Sequence, residues 1–182
     1  MEQTETVDYN DLLRVHEGSQ WTFFTSKPHQ EMNLYEALRR QNIPCYLPQV
    51  KKMTKYSRRS YTRYVPMFSG YVFASTRANG FDFIGLNSSL KRCFFLDKGC
   101  AATLLRDLIT VRKFEVLAQD YKVEIKADFD ADQAITLPDG YFKDENAVIR
   151  HCDNHDEVTV QLISLARFLS VQLPSNFLSQ CV

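Results

Sequence analysis

The spacing of apolar residues changes character once along this 182-residue chain, and that change constrains the fold more than any other feature. Up to Leu117 helical spacing occurs twice. Leu34, Ala37 and Leu38 lie at i, i+3 and i+4, and Leu104, Leu108 and Val111 share one helical face. These intervals predict a helix from Ser26-Lys27-Pro28 to about Gln41 and a second over Thr103–Leu117. From about Ala118 the helical period is lost. Val158, Val160 and Leu162 alternate with polar residues, as do Leu169, Val171 and Leu173. Turn signals at Pro138-Asp139-Gly140 and Asp153-Asn154-His155 punctuate this region, which suggests a small antiparallel barrel.

Around the two helices lie aromatic and β-branched runs that read as strands: Trp21–Thr25, Cys45–Leu47, Gly70–Ser75 and Leu90–Leu96. Strand, helix, strands, helix with short connections describes an α+β unit, an antiparallel sheet with flanking helices. Charge divides the chain the same way. Residues 1–20 carry one Arg against five acids, residues 21–117 sixteen Lys and Arg against six acids, and residues 118–182 five against eleven. The expected organisation is an acidic extension over 1–20 with room for one helical turn, and an α+β domain over 21–117. An acidic, solvated linker over 118–131 and a β-barrel over 132–178 complete it.

No stretch approaches the roughly 20 apolar residues that span a bilayer, and the start lacks the features of a signal peptide, so a soluble, cytoplasmic protein is expected. Five scattered cysteines outside any CxxC pair do not form a disulfide framework. His151-Cys152-Asp153-Asn154-His155 offers three metal-ligand candidates in an expected hairpin turn, with no second cluster to complete a zinc site. No nucleophile elbow or phosphate-binding glycine loop is present. Neither catalysis nor a cofactor is expected.

Three blocks carry a resemblance. Trp21-Thr22-Phe23-Phe24-Thr25-Ser26-Lys27-Pro28-His29-Gln30-Glu31 is the first, and Val65-Pro66-Met67-Phe68-Ser69-Gly70-Tyr71-Val72-Phe73 the second. The third is Ile135-Thr136-Leu137-Pro138-Asp139-Gly140-Tyr141-Phe142-Lys143, followed by Ala147-Val148-Ile149. In order and spacing they resemble the NusG family of transcription factors, whose N-terminal domain carries a V-P-L-F-P-G-Y-V-F signature and whose C-terminal KOW domain is an SH3-like barrel. The resemblance implies an elongation or antitermination factor that docks on the RNA polymerase clamp and recruits a second partner through the barrel. The departures point to a specialised, operon-specific paralogue of the RfaH or UpxY type. Asp144 and Ala147 stand where the KOW pattern has glycines, Leu165-Ala166-Arg167 replaces a family L-G-R, and Asp82-Phe83-Ile84 replaces the His-Thr-Thr element of RfaH.

The candidate polymerase-binding residues are Trp21, Pro66, Phe68, Gly70, Tyr71 and Phe73, aromatic anchors of the kind that concentrate binding energy at interfaces. Lys51–Tyr64 holds six cations and no acid, interleaved with Tyr56, Tyr61 and Tyr64. Such a run suits phosphate neutralisation and base stacking. Lys27, Lys51, Lys52, Lys55, Arg58, Arg59, Arg63, Lys91 and Arg92 are therefore candidates for contact with nucleic acid, and the resemblance implies non-template DNA. Phe142, Lys143, Leu165 and Arg167 are the candidates for the barrel's partner, which the resemblance implies is a small-subunit ribosomal protein or a termination factor. A C-terminal segment folded back over the aromatic patch is the alternative to a free barrel, and the strand alternation after Val158 favours the barrel. The rival function is an RNA-binding or ribosome-associated KOW protein.

Overall fold

The computed structural model describes residues 9–56, 59–77, 88–128, 135–136, 140–175 and 177. The chain divides into two compact units, Met1–Gln49 with Tyr64–Ile109 and Val50–Arg63 with Thr110–Val182.

In the first unit a short helix α1 (Tyr9–Leu12) precedes β1 (Gln20–Ser26), α2 (Glu31–Arg40) and β2 (Cys45–Tyr46). The chain then forms a two-stranded ladder of β3 (Gln49–Tyr56) and β4 (Arg59–Pro66), whose Val50–Arg63 stretch belongs to the second unit, and returns to the first unit with β5 (Tyr71–Thr76) and β6 (Leu90–Cys93). Strands β2, β5, β1 and β6 form one antiparallel sheet in that order. Period-2 alternation decides which side chains meet the helix. Phe24, Val72, Ala74 and Cys45 point to one face and pack with Leu34, Tyr35 and Leu38 of α2. Each fully buried apolar side chain of this kind contributes on the order of 2 kcal/mol. Burial pushes the Cys45 thiol up to about 12, so it stays a neutral member of this core.

Helix α2 starts later than Pro28 suggests, because His29 occupies a left-handed conformation (φ 58°) and the helix begins only at Glu31. Its end is a Schellman closure: Asn42 at φ 55° donates to the Arg39 carbonyl, and Ile43 to the Leu38 carbonyl. The next helix, α3, runs over Lys98–Leu117, five residues longer at its start than the apolar spacing indicates. Asp97 caps it, its carboxylate accepting from the Cys100 N–H at 2.8 Å. Leu104, Leu108 and Val111 are fully buried, as their spacing requires.

The second unit contains β7 (Val123–Lys126), β8 (Ile135–Thr136), β9 (Asn146–Cys152), β10 (His155–Leu162) and β11 (Arg167–Leu173). They form a five-stranded antiparallel sheet in the order β7-β11-β10-β9-β8. Val158, Val160, Leu162, Leu169, Val171 and Leu173 are all buried, so the alternation read from the sequence marks the core face. On the other face Lys126 donates to Glu157 at 2.6 Å and to Ser170 at 3.2 Å. That hydrogen bond, more than any other cause, holds the Glu157 carboxyl below its ordinary range.

Two expected boundaries are corrected. The solvated linker over 118–131 is not one along its length, because Val123–Lys126 pairs with β11 from Phe168↔Lys126 to Val171↔Val123. The Val-Glu-Ile-Lys run is too short to announce itself in sequence, and only the ladder supplied by β11 makes it a strand. The first unit ends not at Leu117 but within α3, after Ile109. Asp82-Phe83-Ile84 and the Pro138-Asp139 turn lie outside the described residues, whereas Asp153-Asn154 connects β9 to β10 as expected.

Candidate docking face and nucleic-acid interface

Residues paired directly across an antiparallel ladder share a face. Opposite the α2 side, β1 presents Trp21, Phe23 and Thr25, and its partners on β5 are Ser75, Phe73 and Tyr71. Tyr46 of β2 pairs with Phe73 and Arg92 of β6 pairs with Thr25, which brings both to the same face. Cys93 lies in the α2-side cluster, so its neighbours Arg92 and Phe94 point the other way.

Accessibility grades along this face. At one end the N-terminal segment covers it: Trp21 donates its indole N–H to the Arg14 carbonyl at 2.8 Å, and Ser19 bonds Ser75 at 2.8 Å. Leu13 is buried, and the His16 ring lies 6.1 Å from that of Trp21. Trp21, Tyr46 and Phe73 are sealed, and Phe68 is nearly so, edge-on to Phe73 at 6.1 Å. At the other end Tyr71 is 37% exposed. Phe23, half-buried, tilts against Tyr71 at 5.7 Å and stacks on Phe94 at 4.6 Å. Phe95 beside them is 43% exposed.

Of the six candidate docking residues, then, Trp21, Phe73 and Phe68 are corrected to core. β5 is an interior strand flanked by β2 and β1, and the N-terminal segment and Phe68 pack against this part of the face. Tyr71 is the accessible anchor, with Pro66 and Gly70 half-buried. Gly70 sits in a turn closed by the Tyr71 N–H donating to the Phe68 carbonyl, at φ 82°, a region glycine reaches without strain. Phe23 and Phe94 are functional candidates that sequence reading passed over. Phe23 was legible through its alternation with Trp21, and the Phe94-Phe95 pair through its place at the end of a strand.

The described middle residues of β3 and β4 are exposed on both sides of their ladder. Lys51, Lys52 and Met53 are successively exposed, as are Ser60, Tyr61, Thr62, Arg63 and Tyr64, and successive strand residues face opposite ways. Lys55 and Arg59 belong to its strands, though their side chains, like the whole of Arg58, lie outside the described residues. Lys27 and Lys91, in the first unit, are exposed. Arg39 stacks over Tyr35 at 5.9 Å and Arg40 pairs with Glu36, so these two serve α2.

In the second unit Phe142 is corrected from partner contact to core. It is 1% exposed and packs on Phe114 at 5.5 Å, within a local set of bonds in which Thr110 and Lys113 both donate to Glu145. Lys143 and Arg167 are exposed and Leu165 is half-buried. The β10–β11 turn also presents Ile163, 67% exposed, which sequence reading passed over. Asp144 and Ala166 adopt φ 64° and 47°, so the positions that are glycine in the resembled pattern keep a glycine-like backbone here. Ala147 instead lies fully buried in β9, opposite Val160. His151 Nδ1 lies 2.7 Å from the buried Asp156 carboxylate, and among the described residues no three His, Cys, Asp or Glu side chains converge as metal ligands. Among those residues, too, no helix is long and apolar enough to cross a membrane.

Compared with known proteins, residues 19–107 match the family model described as transcription termination factor NusG. No curated protein matches the chain. The matched stretch spans the four-stranded sheet, α2 and the aromatic face, and in this part the chain is similar to the NusG family.

Proposed function

We propose that this protein is a transcription elongation or antitermination factor, an adaptor without catalytic chemistry that docks on the RNA polymerase clamp through the Tyr71 end of its aromatic face. The observation that carries the reading is Tyr71 itself. It lies within the matched stretch, stands 37% exposed on a sheet whose other aromatics are largely covered, and is backed by Phe23 and Phe94. A rigid aromatic anchor supported by further aromatics is the arrangement in which interfaces concentrate binding energy.

The exposed cations Lys51, Lys52 and Arg63, with Tyr61 and Tyr64 between and beside them, make a non-specific contact with non-template DNA. The five-stranded sheet closes into a KOW barrel of the SH3 type. Its β10–β11 turn, with Ile163, Leu165 and Arg167, and the exposed Lys143 receive a small-subunit ribosomal protein or a termination factor. The left-handed Asp144 and Ala166 support a specialised, operon-specific paralogue of the RfaH or UpxY kind working in the cytoplasm.

The test is co-purification of RNA polymerase with the full-length protein and with Tyr71→Ala. Capture by the native chain and its loss in the variant are expected; undiminished capture by Tyr71→Ala overturns the docking reading. Because the hairpin's exposed tyrosines also suit single-stranded RNA, the same proteins are titrated with RNA. Salt-sensitive RNA binding with no polymerase capture would establish the rival, an RNA-binding or ribosome-associated protein.

A further inference from the structure

The cation Arg92 belongs, by its register, with the aromatic face. It pairs with Thr25, and Thr25 pairs with Tyr71, so the three form one row across β6, β1 and β5 on the side away from α2. The Thr25 hydroxyl donates to the Arg92 carbonyl at 3.5 Å, which adds to the tie between the two strands. One step further along, the same face carries Phe23 and Phe94, stacked at 4.6 Å. Arg92 is exposed, and among the described residues no ion pair engages it. The nearest acid in sequence beyond it, Asp97, is occupied in capping α3.

An arginine at the rim of a tyrosine and phenylalanine cluster has a specific consequence for what can bind. The aromatic centre rewards an apolar ridge. A guanidinium that no described acid engages favours a carboxylate, which it can bind with two parallel N–H donors, and disfavours a lysine or arginine at the same place. We propose that Arg92 is a specificity residue for protein docking: the polymerase surface that meets this face pairs an apolar ridge with a carboxylate placed to meet the guanidinium. The inference rests on the docking reading above and takes Arg92 from the nucleic-acid set to the protein interface.

The experiment measures binding of nucleic-acid-free RNA polymerase to the full-length protein, Arg92→Glu, Arg92→Gln and Tyr71→Ala, across a range of salt. Arg92→Glu is expected to weaken binding about tenfold or more at ~0.1 M salt, with Arg92→Gln intermediate. Native binding is expected to weaken as salt rises, and Arg92→Gln to show a flatter dependence, because screening acts on the rim pair. Arg92 is exposed, so the variants should unfold at the native denaturant midpoint, which separates lost contact from lost fold. Native-like polymerase binding by Arg92→Glu, with Tyr71→Ala defective, overturns this proposal and leaves the docking reading standing. Native-like binding by both overturns both. If Arg92→Glu instead loses affinity for single-stranded DNA while keeping polymerase, Arg92 is a phosphate contact and the proposal is wrong.

Discussion

The Glu31 carboxylate accepts a 2.7 Å hydrogen bond from the backbone N–H of Gly70. Glu31 opens α2 and is buried, and Gly70 closes the turn that delivers Tyr71 to the sheet. A bond spanning 39 positions thus joins the end of one signature block to the centre of the next. Removing the acceptor leaves a partly buried N–H unsatisfied. Glu31→Ala is expected to lower stability by about 1–3 kcal/mol, read as a lower denaturant midpoint at unchanged m-value. An unchanged midpoint would show that water replaces the carboxylate.

Trp21 and Tyr71 lie on the same face yet should respond in opposite ways. Trp21 is sealed under the N-terminal segment and bonded to the Arg14 carbonyl, so Trp21→Ala should destabilise the unit by about 3–5 kcal/mol. Tyr71→Ala, at an accessible position, should stay within about 1 kcal/mol of native stability. Equal losses in chemical denaturation would contradict the grading of the face.

Ala166 stands at φ 47° in the β10–β11 turn, where its Cβ crowds the backbone. Ala166→Gly removes that crowding, worth about 1–2 kcal/mol, but frees the unfolded chain, and a net gain of about 0.5–1 kcal/mol is expected. A loss of stability in thermal or denaturant unfolding would mean the turn relaxes differently.

The depressed Glu157 carboxyl ties stability to pH. Its folded form favours the carboxylate through Lys126, so the stabilisation is fully present above the ordinary glutamate value of about 4.3 and fades as pH falls through the lower folded value. Glu157→Gln should therefore flatten the acid limb of a stability-versus-pH curve and change little in its shape near neutrality. An identical acid limb in the variant would remove the Lys126–Glu157 pair as its cause.

Much of the architecture is visible in residue order. The alternations Val158-Val160-Leu162 and Leu169-Val171-Leu173 name the buried face of their sheet, and Leu104-Leu108-Val111 the buried side of α3. Pattern fell short wherever an element borrows its stability. Val123–Lys126 is a strand only because β11 supplies its ladder, and the first turn of α3 depends on the Asp97 cap more than on apolar spacing.

By itself the sequence determined the helix periods, the glycine turn before Tyr71, the segregation of charge and the alternation of side chains within its longer strands. All of these are local properties, governed by backbone sterics and by spacing along the chain. Only the tertiary structure decided which aromatics of the shared face stay open to a partner. Trp21, Phe73 and Tyr71 have the same parity on paired strands, but burial depends on what lies over them, and the N-terminal segment and Phe68, although close in sequence to Trp21 and Phe73, are laid over the face only by the fold. For the same reason Arg92 joined the aromatic row through its pairing with Thr25, a relation between strands more than sixty positions apart in the chain.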